Sequence, residues 1–292
     1  MDAVISCEER TQEGNGVGRM KTFLSFGAGV QTTAMLILIA KGEIEADAVI
    51  FADTGAEHPE TYEYIEKYDK PLCQKIGIPF MTVRMHRRTK NADTGIREYA
   101  DSLRDVILMI HRVPSINNRW CTDYAKKRPI RLALRGMQKD GKFIKPATAL
   151  IGISVDEKHR AFNPDGSWKQ PHFSEYGSAY PLVEKRISRD DCHRIIKDYG
   201  WPDPVKSGCY FCPFQGPREW ATLYHTHPDL FWDAVALEEQ DIKFPTYNLY
   251  PRGKSKGLRR LASGPGFGYG SLSIYDDYEG KACVEVEASC MV

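Results

Sequence analysis

Short apolar segments that alternate with longer, helix-patterned ones over residues 20–155 constrain this chain more than any other feature. "KTFLSF" (21–26), "AVIF" (48–51), "IPFMTVRM" (78–85) and "ATALIGISV" (147–155) have the length and apolar character of buried strands. Between them, "VQTTAMLILIAKGE" reads as a buried helix, and Pro59 stands where a second begins, with Tyr62, Ile65 and Tyr68 at helical spacing. Residues 97–111 and 122–137 also read as helical. Such alternation predicts an α/β fold, a doubly wound parallel sheet covered by helices on both faces.

Beyond residue 155 the pattern changes. "RISRDDCHRIIKDYG" and "GPREWATLYHTHPDLFWDAVALEEQ" predict helices around a compact "SGCYFCPF". The expected organisation is a flexible arm over 1–19, a nucleotide-binding α/β domain over 20–160, a helical cysteine-containing part over 161–260, and a partly disordered tail over 261–292.

With 42% apolar and 27% charged residues the composition is that of a globular protein. No apolar run reaches the roughly 18–20 residues that cross a bilayer, and the first residues lack the basic and apolar regions of a signal peptide. A cytoplasmic location and no membrane contact are expected. The net charge is +1, yet "RMHRRTK" (84–90), "KKRPIR" (126–131) and "RGKSKGLRR" (252–260) concentrate positive charge as a polyanion contact would. Each also reads as a solvated face. Oligomeric state is not legible.

The strand 21–26 runs into Gly27-Ala28-Gly29 and then into a helix near Val30. Small residues let backbone N–H groups approach a phosphate, and the helix N-terminus adds partial positive charge. The loop lacks the terminal Lys-Ser/Thr of a P-loop, and Thr32 stands where a dinucleotide fingerprint needs its third glycine.

"SFGAGVQTTAM" resembles the PP-loop of the ATP pyrophosphatase superfamily, in the branch typified by phosphoadenylyl-sulfate (PAPS) reductase. Val30 and Gln31 stand where that loop usually has Lys and Asp. "VIFADTGAEHPETYEYI" (49–65) is similar to the segment that follows the loop in that family, "NRWCTDYAKKRPI" (118–130) to its cysteine-plus-basic stretch, and "LIGISVDEKHRA" (150–161) to a strand end bearing Glu and Arg. "SGCYFCPFQ" (207–215) resembles its late cysteine pair, so the resemblance runs in order over about residues 20–240.

It implies an adenine nucleotide alpha hydrolase-like fold. ATP would be held by Ser25, Gly27, Ala28, Gly29, Thr32 and Thr33, with Asp53, Thr54, Gly55 and Glu157 at neighbouring strand ends and Mg2+ at the phosphates. Asp53, Gln31 and Arg160 are the expected catalytic set. Asp53 lies at the edge where ligands of open α/β sheets collect, and Arg160 suits a bidentate phosphate contact, with a surface ion pair as the alternative.

Eight cysteines without a secretion signal point away from a disulfide framework. Cys209 and Cys212, in Cys-x-x-Cys spacing, can share a metal. The resemblance adds Cys121. Related adenylyl-sulfate reductases use two adjacent cysteines with a later pair, but here the neighbour of Cys121 is Trp120, so Cys192 is expected to complete a [4Fe-4S] cluster. Structural Zn with the same ligands, or with His193, is the alternative; thiolates suit both. Cys73 reads as a core residue. Cys290 is close to the end without the Glu-Cys-Gly motif of sulfonucleotide reductases.

The implied function is an ATP pyrophosphatase that adenylates an acceptor oxygen for sulfur insertion, into DNA as in phosphorothioation or into tRNA as in thiolation, with a cysteine desulfurase as sulfur donor. Two other readings remain: a PAPS or adenylyl-sulfate reductase releasing sulfite, and a catalytically silent nucleotide or nucleic-acid sensor.

Overall fold

The computed structural model describes residues 4–7, 20–167, 169, 172–173, 175–240, 249–250 and 257–262. The strands are β1 (Val4–Cys7), β2 (Met20–Phe26), β3 (Ala48–Asp53), β4 (Phe80–Arg84), β5 (Arg87–Lys90), β6 (Arg97–Ala100), β7 (Phe143–Ile151) and β8 (Gly177–Ala179). The helices are α1 (Val30–Ala40), α2 (Pro59–Tyr64), α3 (Lys70–Ile76), α4 (Leu103–Ile110), α5 (Arg128–Lys139), α6 (Pro181–Glu184), α7 (Arg189–Asp198), α8 (Pro217–Thr226), α9 (Pro228–Glu239) and α10 (Leu258–Ala262). A π-helical turn, Ile65–Asp69, joins α2 to α3, another, Thr122–Lys127, precedes α5, and Val155–Arg160 is a 3-10 turn.

The main sheet has the order β1-β4-β3-β2-β7-β8. Its five strands from β4 to β8 are parallel, and β1 closes one edge antiparallel to β4. The doubly wound α/β fold expected from the alternation is therefore present. Within the expected arm, Val4–Cys7 is this edge strand.

Alternation along β2 explains the two layers. Leu24 belongs to a core with α1, Leu72, Cys73, Cys192 and Ile196. Phe23, its neighbour, belongs to the opposite core with Ile130, Leu134, Phe173 and Tyr176. Successive strand residues point to opposite faces, so an all-apolar strand feeds both layers. Helix α1 is buried over Val30–Ile39. Each fully buried Leu or Ile there contributes about 1.5–3 kcal/mol, which makes α1 the spine beneath the glycine-bearing loop.

A third core gathers α4, α8 and α9 around Cys209, Tyr210, Phe211 and Trp220. The helix expected over 97–111 is instead a strand and a shorter helix. Gly95, at φ 71°, turns the chain, Asn91 Oδ1 accepts from the N–H groups of Asp93 and Thr94, and Arg97–Ala100 returns as β6 against β5. Ser102 then caps α4, its hydroxyl accepting from Asp105 N–H at 3.1 Å. The expected single helix over 216–240 is broken at His227-Pro228, because proline cannot donate to a continuing helix. Of the expected cluster at 252–260, the described residues include Leu258–Arg260 in α10; Cys283 and Cys290 lie outside the described residues.

Candidate active site

The loop between β2 and α1 is tight and bare. Ala28 adopts φ 56°, a left-handed conformation uncommon away from glycine. A Cβ added to Gly27 would meet nothing within 4 Å, so its backbone faces open space. On the other side the loop abuts β7: a Cβ on Gly152 would stand 2.7 Å from Thr32 Cγ2. Gly29 N–H donates to Thr32 Oγ1 at 3.2 Å, the Thr32 hydroxyl donates back to Gly29 O at 3.1 Å, and Thr33 N–H donates to the same carbonyl at 2.9 Å. Thr32, expected to offer its hydroxyl to a phosphate, thus closes the helix end instead.

Five other polar groups around this turn are buried without a hydrogen-bond partner in the protein: Ser25 Oγ, Gln31 Oε1 and Nε2, Thr33 Oγ1 and Ser154 Oγ. Buried polar groups are rarely left unpaired, and where they are, a ligand or a catalytic role is the usual reason. An open Gly27 beside unpaired hydroxyls and an amide fits a polyphosphate.

Asp53 ends β3, at the sheet edge expected. Its Oδ1 accepts from Gly55 N–H and from the Tyr62 hydroxyl, both at 2.7 Å, and its Oδ2 from Arg84 Nε at 3.0 Å and from Arg84 Nη2. A carboxylate has about four acceptor positions, and these four bonds occupy them. Asp53 fixes Arg84, whose side chain is 45% exposed. Tyr62 is held far above its usual pKa by burial and by Asp53, so it stays a donor. Gly55, at φ 70°, passes so close to Ser102 that a Cβ would stand 2.7 Å from the serine Cβ.

Glu57, to which the sequence pattern assigned no role, is buried. Its Oε1 accepts from Thr54 Oγ1 at 3.0 Å and lies 3.6 Å from Lys126 Nζ, while its Oε2 has no partner.

The cysteines divide. Residues 56–58 and 208–210 run alongside each other, with Tyr210 N–H donating to Ala56 O at 3.0 Å and His58 N–H to Gly208 O at 3.3 Å. That pairing carries Cys209 to the nucleotide-side turn, where its thiol donates to Thr54 Oγ1 at 3.2 Å. Burial pushes the Cys209 thiol well above its usual pKa, and Glu57 adds to this. Burial and the neighbouring Cys212 raise Cys121 to about 11, against Lys126 and Arg119. Cys121, Cys209 and Cys212 therefore share one region, and Cys209 and Cys212 line a cavity of about 160 Å3 with His58, Glu60 and Gln215. Burial lowers the His58 pKa, opposed by Glu57 and Glu60.

Cys192 is elsewhere. It lies on α7, packed against α1 in the opposite core, where burial and then Asp156 and Asp191 push it up to about 12. The expected four-cysteine ligand set is thereby corrected. Helix α7 covers α1, whereas the Cys209 loop packs on α4 and α9, so one metal cannot reach both. Among the described residues no three His, Cys, Asp or Glu side chains stand close enough to hold a metal ion. The set does not fit the expected cluster or tetrahedral zinc, with or without His193, which pairs with Asp203 at 2.9 Å.

Arg160 Nη1 donates to Glu157 Oε2 at 2.8 Å, with side chains only 13% and 10% exposed. The ion pair weighed against a phosphate contact is thus formed. Arg160 is one of three cations, with Lys127 and Arg119, that join burial in lowering His172 to about 3. Positive charge from two separate segments, 119–127 and the 155–160 turn, converges there.

Residues 21–184 match the phosphoadenosine phosphosulfate reductase domain family. The chain belongs to this family. This PAPS reductase domain takes in the β2–α1 loop, the Asp53 turn, Arg84, Cys121 and Arg160, and membership ties the chain to sulfur-related nucleotide chemistry as an enzyme of the PP-loop superfamily. No curated protein matches it. Among solved structures, it is similar to the U34-tRNA thiolase NcsA from Methanococcus maripaludis with its [4Fe-4S] cluster, at 16% identity and a TM-score of 0.40 over 76% of this chain and 72% of that one. No helix among the described residues is long and apolar enough to cross a membrane.

Arg84, Tyr62, Glu57 and Lys126 are the residues here to which the pattern gave no role at the nucleotide site, although Arg84 and Lys126 open two of the basic clusters. Arg84 carried a signal, a cation ending a strand. Glu57 carried none, because its partner Cys209 is brought to the same turn only by the fold.

Proposed function

We propose that this PAPS reductase domain is an ATP pyrophosphatase that activates an oxygen of a nucleic-acid acceptor for replacement by sulfur. The observation that carries the reading is the Thr54–Cys209 contact: a thiol stands on the turn that borders the phosphate loop.

The acceptor oxygen attacks the α-phosphorus of ATP, the α–β bond breaks, and pyrophosphate leaves. A sulfur nucleophile then displaces AMP, which departs with the acceptor oxygen. The Gly27–Gly29 backbone, Thr33 and Gln31 hold the phosphates, and Arg84, fixed by Asp53, balances charge on the departing pyrophosphate. Glu57 Oε2, which has no partner in the protein, is the carboxylate oxygen that would hold magnesium, and the ion would neutralise charge on the phosphates. Burial keeps the Cys209 thiol protonated, so sulfur from a cysteine desulfurase enters as a persulfide on Cys212, half-buried at the cavity. The outer persulfide sulfur displaces AMP, and a dithiol reductant then cleaves the acceptor–S–S–Cys212 bond, becoming a disulfide and releasing the thiolated acceptor and the Cys212 thiol. No step here runs through an iron–sulfur cluster.

The test is ATP labelled at the α-phosphate, with and without tRNA or DNA. Labelled AMP and pyrophosphate formed only with nucleic acid support the reading and tell which acceptor is used. ATP left intact with every acceptor removes it.

The family itself favours a second reading, reductive release of sulfite from PAPS or adenylyl sulfate with thioredoxin. Sulfite formed from either nucleotide without ATP cleavage would select it.

A further inference from the structure

The ribbon formed by β5 and β6 has no part in the chemistry above. Its register pairs Arg88 with Tyr99 and Lys90 with Arg97, so these four residues share one face. All four are exposed, Tyr99 at 57% and the nearby Ile96, at the turn, at 61%. Among the described residues, Arg88, Lys90 and Arg97 have no carboxylate partner; their one side-chain hydrogen bond is from Arg88 Nη2 to the Arg97 carbonyl at 3.4 Å, and the Arg88 guanidinium also lies 5.9 Å from the centroid of the Tyr99 ring. Like charges directly opposite each other destabilise a ladder, so the Lys90–Arg97 pair weakens the isolated ribbon and would be relieved by an anion lying across it.

The aromatic component is held in place. Asp101 bonds His86 Nδ1, and the His86 ring stacks on Tyr99 with centroids 4.3 Å apart and planes 10° from parallel. The opposite face of the ribbon is anchored toward the site. Thr89 Oγ1 bonds Tyr124 OH at 2.8 Å, and the Arg87 guanidinium lies 4.8 Å from the Tyr124 ring. Tyr124 belongs to the π-helical turn that also carries Lys126, the neighbour of Glu57.

We infer that the outward face of this ribbon is the docking surface for a single-stranded stretch of nucleic acid, with phosphates on Arg88, Lys90 and Arg97 and an unpaired base stacked at Tyr99. The inference rests on the nucleic-acid reading above and names the surface that would hold the acceptor. Three cations on one face, two along β5 and one opposite on β6, suit a phosphate backbone. An exposed ring held by its neighbours suits a base, which duplex DNA would keep in its own stack.

The experiment measures binding of a labelled unstructured oligonucleotide, as RNA and as DNA, and of a duplex, over a series of salt concentrations. The wild type should bind one of the single strands more tightly than the duplex. The combined variant Arg88→Gln, Lys90→Gln, Arg97→Gln should bind more weakly, with log K against log salt less steep by about 2, from about 0.7 for each of three phosphates. Tyr99→Ala should lose about tenfold in affinity without changing that slope, and Tyr99→Phe should retain binding. Unchanged thermal midpoints would show that the variants fold. If the wild type binds and the combined variant binds equally with the same slope, the ribbon is not the surface while the nucleic-acid reading stands. Equal binding of the duplex with no effect of Tyr99→Ala overturns the single-strand assignment. A wild type that binds no nucleic acid overturns both.

Discussion

Cys209 donates its thiol hydrogen to the Thr54 hydroxyl at 3.2 Å, across 155 residues of sequence. Thr54 in turn donates to Glu57 at 3.0 Å. One hydroxyl thus links the sulfur-bearing loop to the carboxylate at the nucleotide edge. Replacing Thr54 by Val keeps the shape, leaves the buried Cys209 thiol without its acceptor, and leaves Glu57 Oε1 with Lys126 at 3.6 Å alone. We expect a loss of about 1–3 kcal/mol in urea unfolding, where Thr54→Ser, which keeps the hydroxyl, loses less. Equal losses would mean that packing, not the hydroxyl, matters.

Asp53→Asn removes the charge that fixes Arg84. Breaking a fully buried pair costs about 3–5 kcal/mol. Arg84 is 45% exposed, so solvent screening reduces the expected loss to about 1–2 kcal/mol. Nucleotide binding should fall with both Asp53→Asn and Arg84→Gln, and the double variant should be no worse than Arg84→Gln. A further loss in the double variant would mean that Asp53 contacts the nucleotide itself.

The Cys209–Cys212 loop is anchored through Tyr210, whose hydroxyl donates to Asp233, itself paired with Arg104 at 2.8 Å. Burial alone would raise the Asp233 pKa, but hydrogen bonds from Arg104 and Tyr210 hold it below 3.8. A carboxyl depressed in the folded state stabilises at pH above its unfolded value and loses that contribution as pH falls through the folded one. The wild type should therefore exceed Asp233→Asn by about 1 kcal/mol at neutral pH, discounted for partial exposure. The difference should shrink below about pH 4. A difference independent of pH would show that Asp233 does not act through its charge.

Burial places Cys73 and Cys192 at about 12. Since the thiolate is the reactive form, iodoacetamide at about pH 8 should leave both unmodified in the folded protein and alkylate both in urea. Cys192→Ala should leave ATP cleavage and any metal content unchanged. Loss of bound iron in Cys192→Ala would restore it as a ligand.

How much of this was legible beforehand divides along a physical line. The strands at 20–26, 48–53 and 80–84 and helix α1 announce themselves because a doubly covered parallel sheet demands continuous apolar runs, and that demand is local. The loop after β2 and the turn at Asp53 could be read for the same reason: glycines and a strand end are features of neighbouring residues. By pattern, residues 84–90 are a basic cluster and 97–111 a helix, yet residues 87–100 form a ribbon. Its pairing depends on a turn at Asn91–Gly95, whose short-range bonds outweigh helical spacing.

Ligand sets and charge partners are different in kind. Cys121, Cys192, Cys209 and Cys212 are equivalent by residue type, and only tertiary packing separates them: the antiparallel run beside residues 56–58 brings Cys209 to Thr54, while α7, laid on α1, carries Cys192 into another core. Likewise Asp53 was recognisable by its position on a strand, but Arg84 occupies its carboxylate only because β4 lies beside β3 in register. The sequence by itself determined four of the six strands of the main sheet, helix α1 and the bare loop between β2 and α1, since hydrophobic periodicity and backbone freedom act over a few residues. Which thiols meet, and which carboxylate retains an oxygen for a ligand, was decided by long-range packing, because those contacts join segments whose residue types say nothing about their distance in the fold.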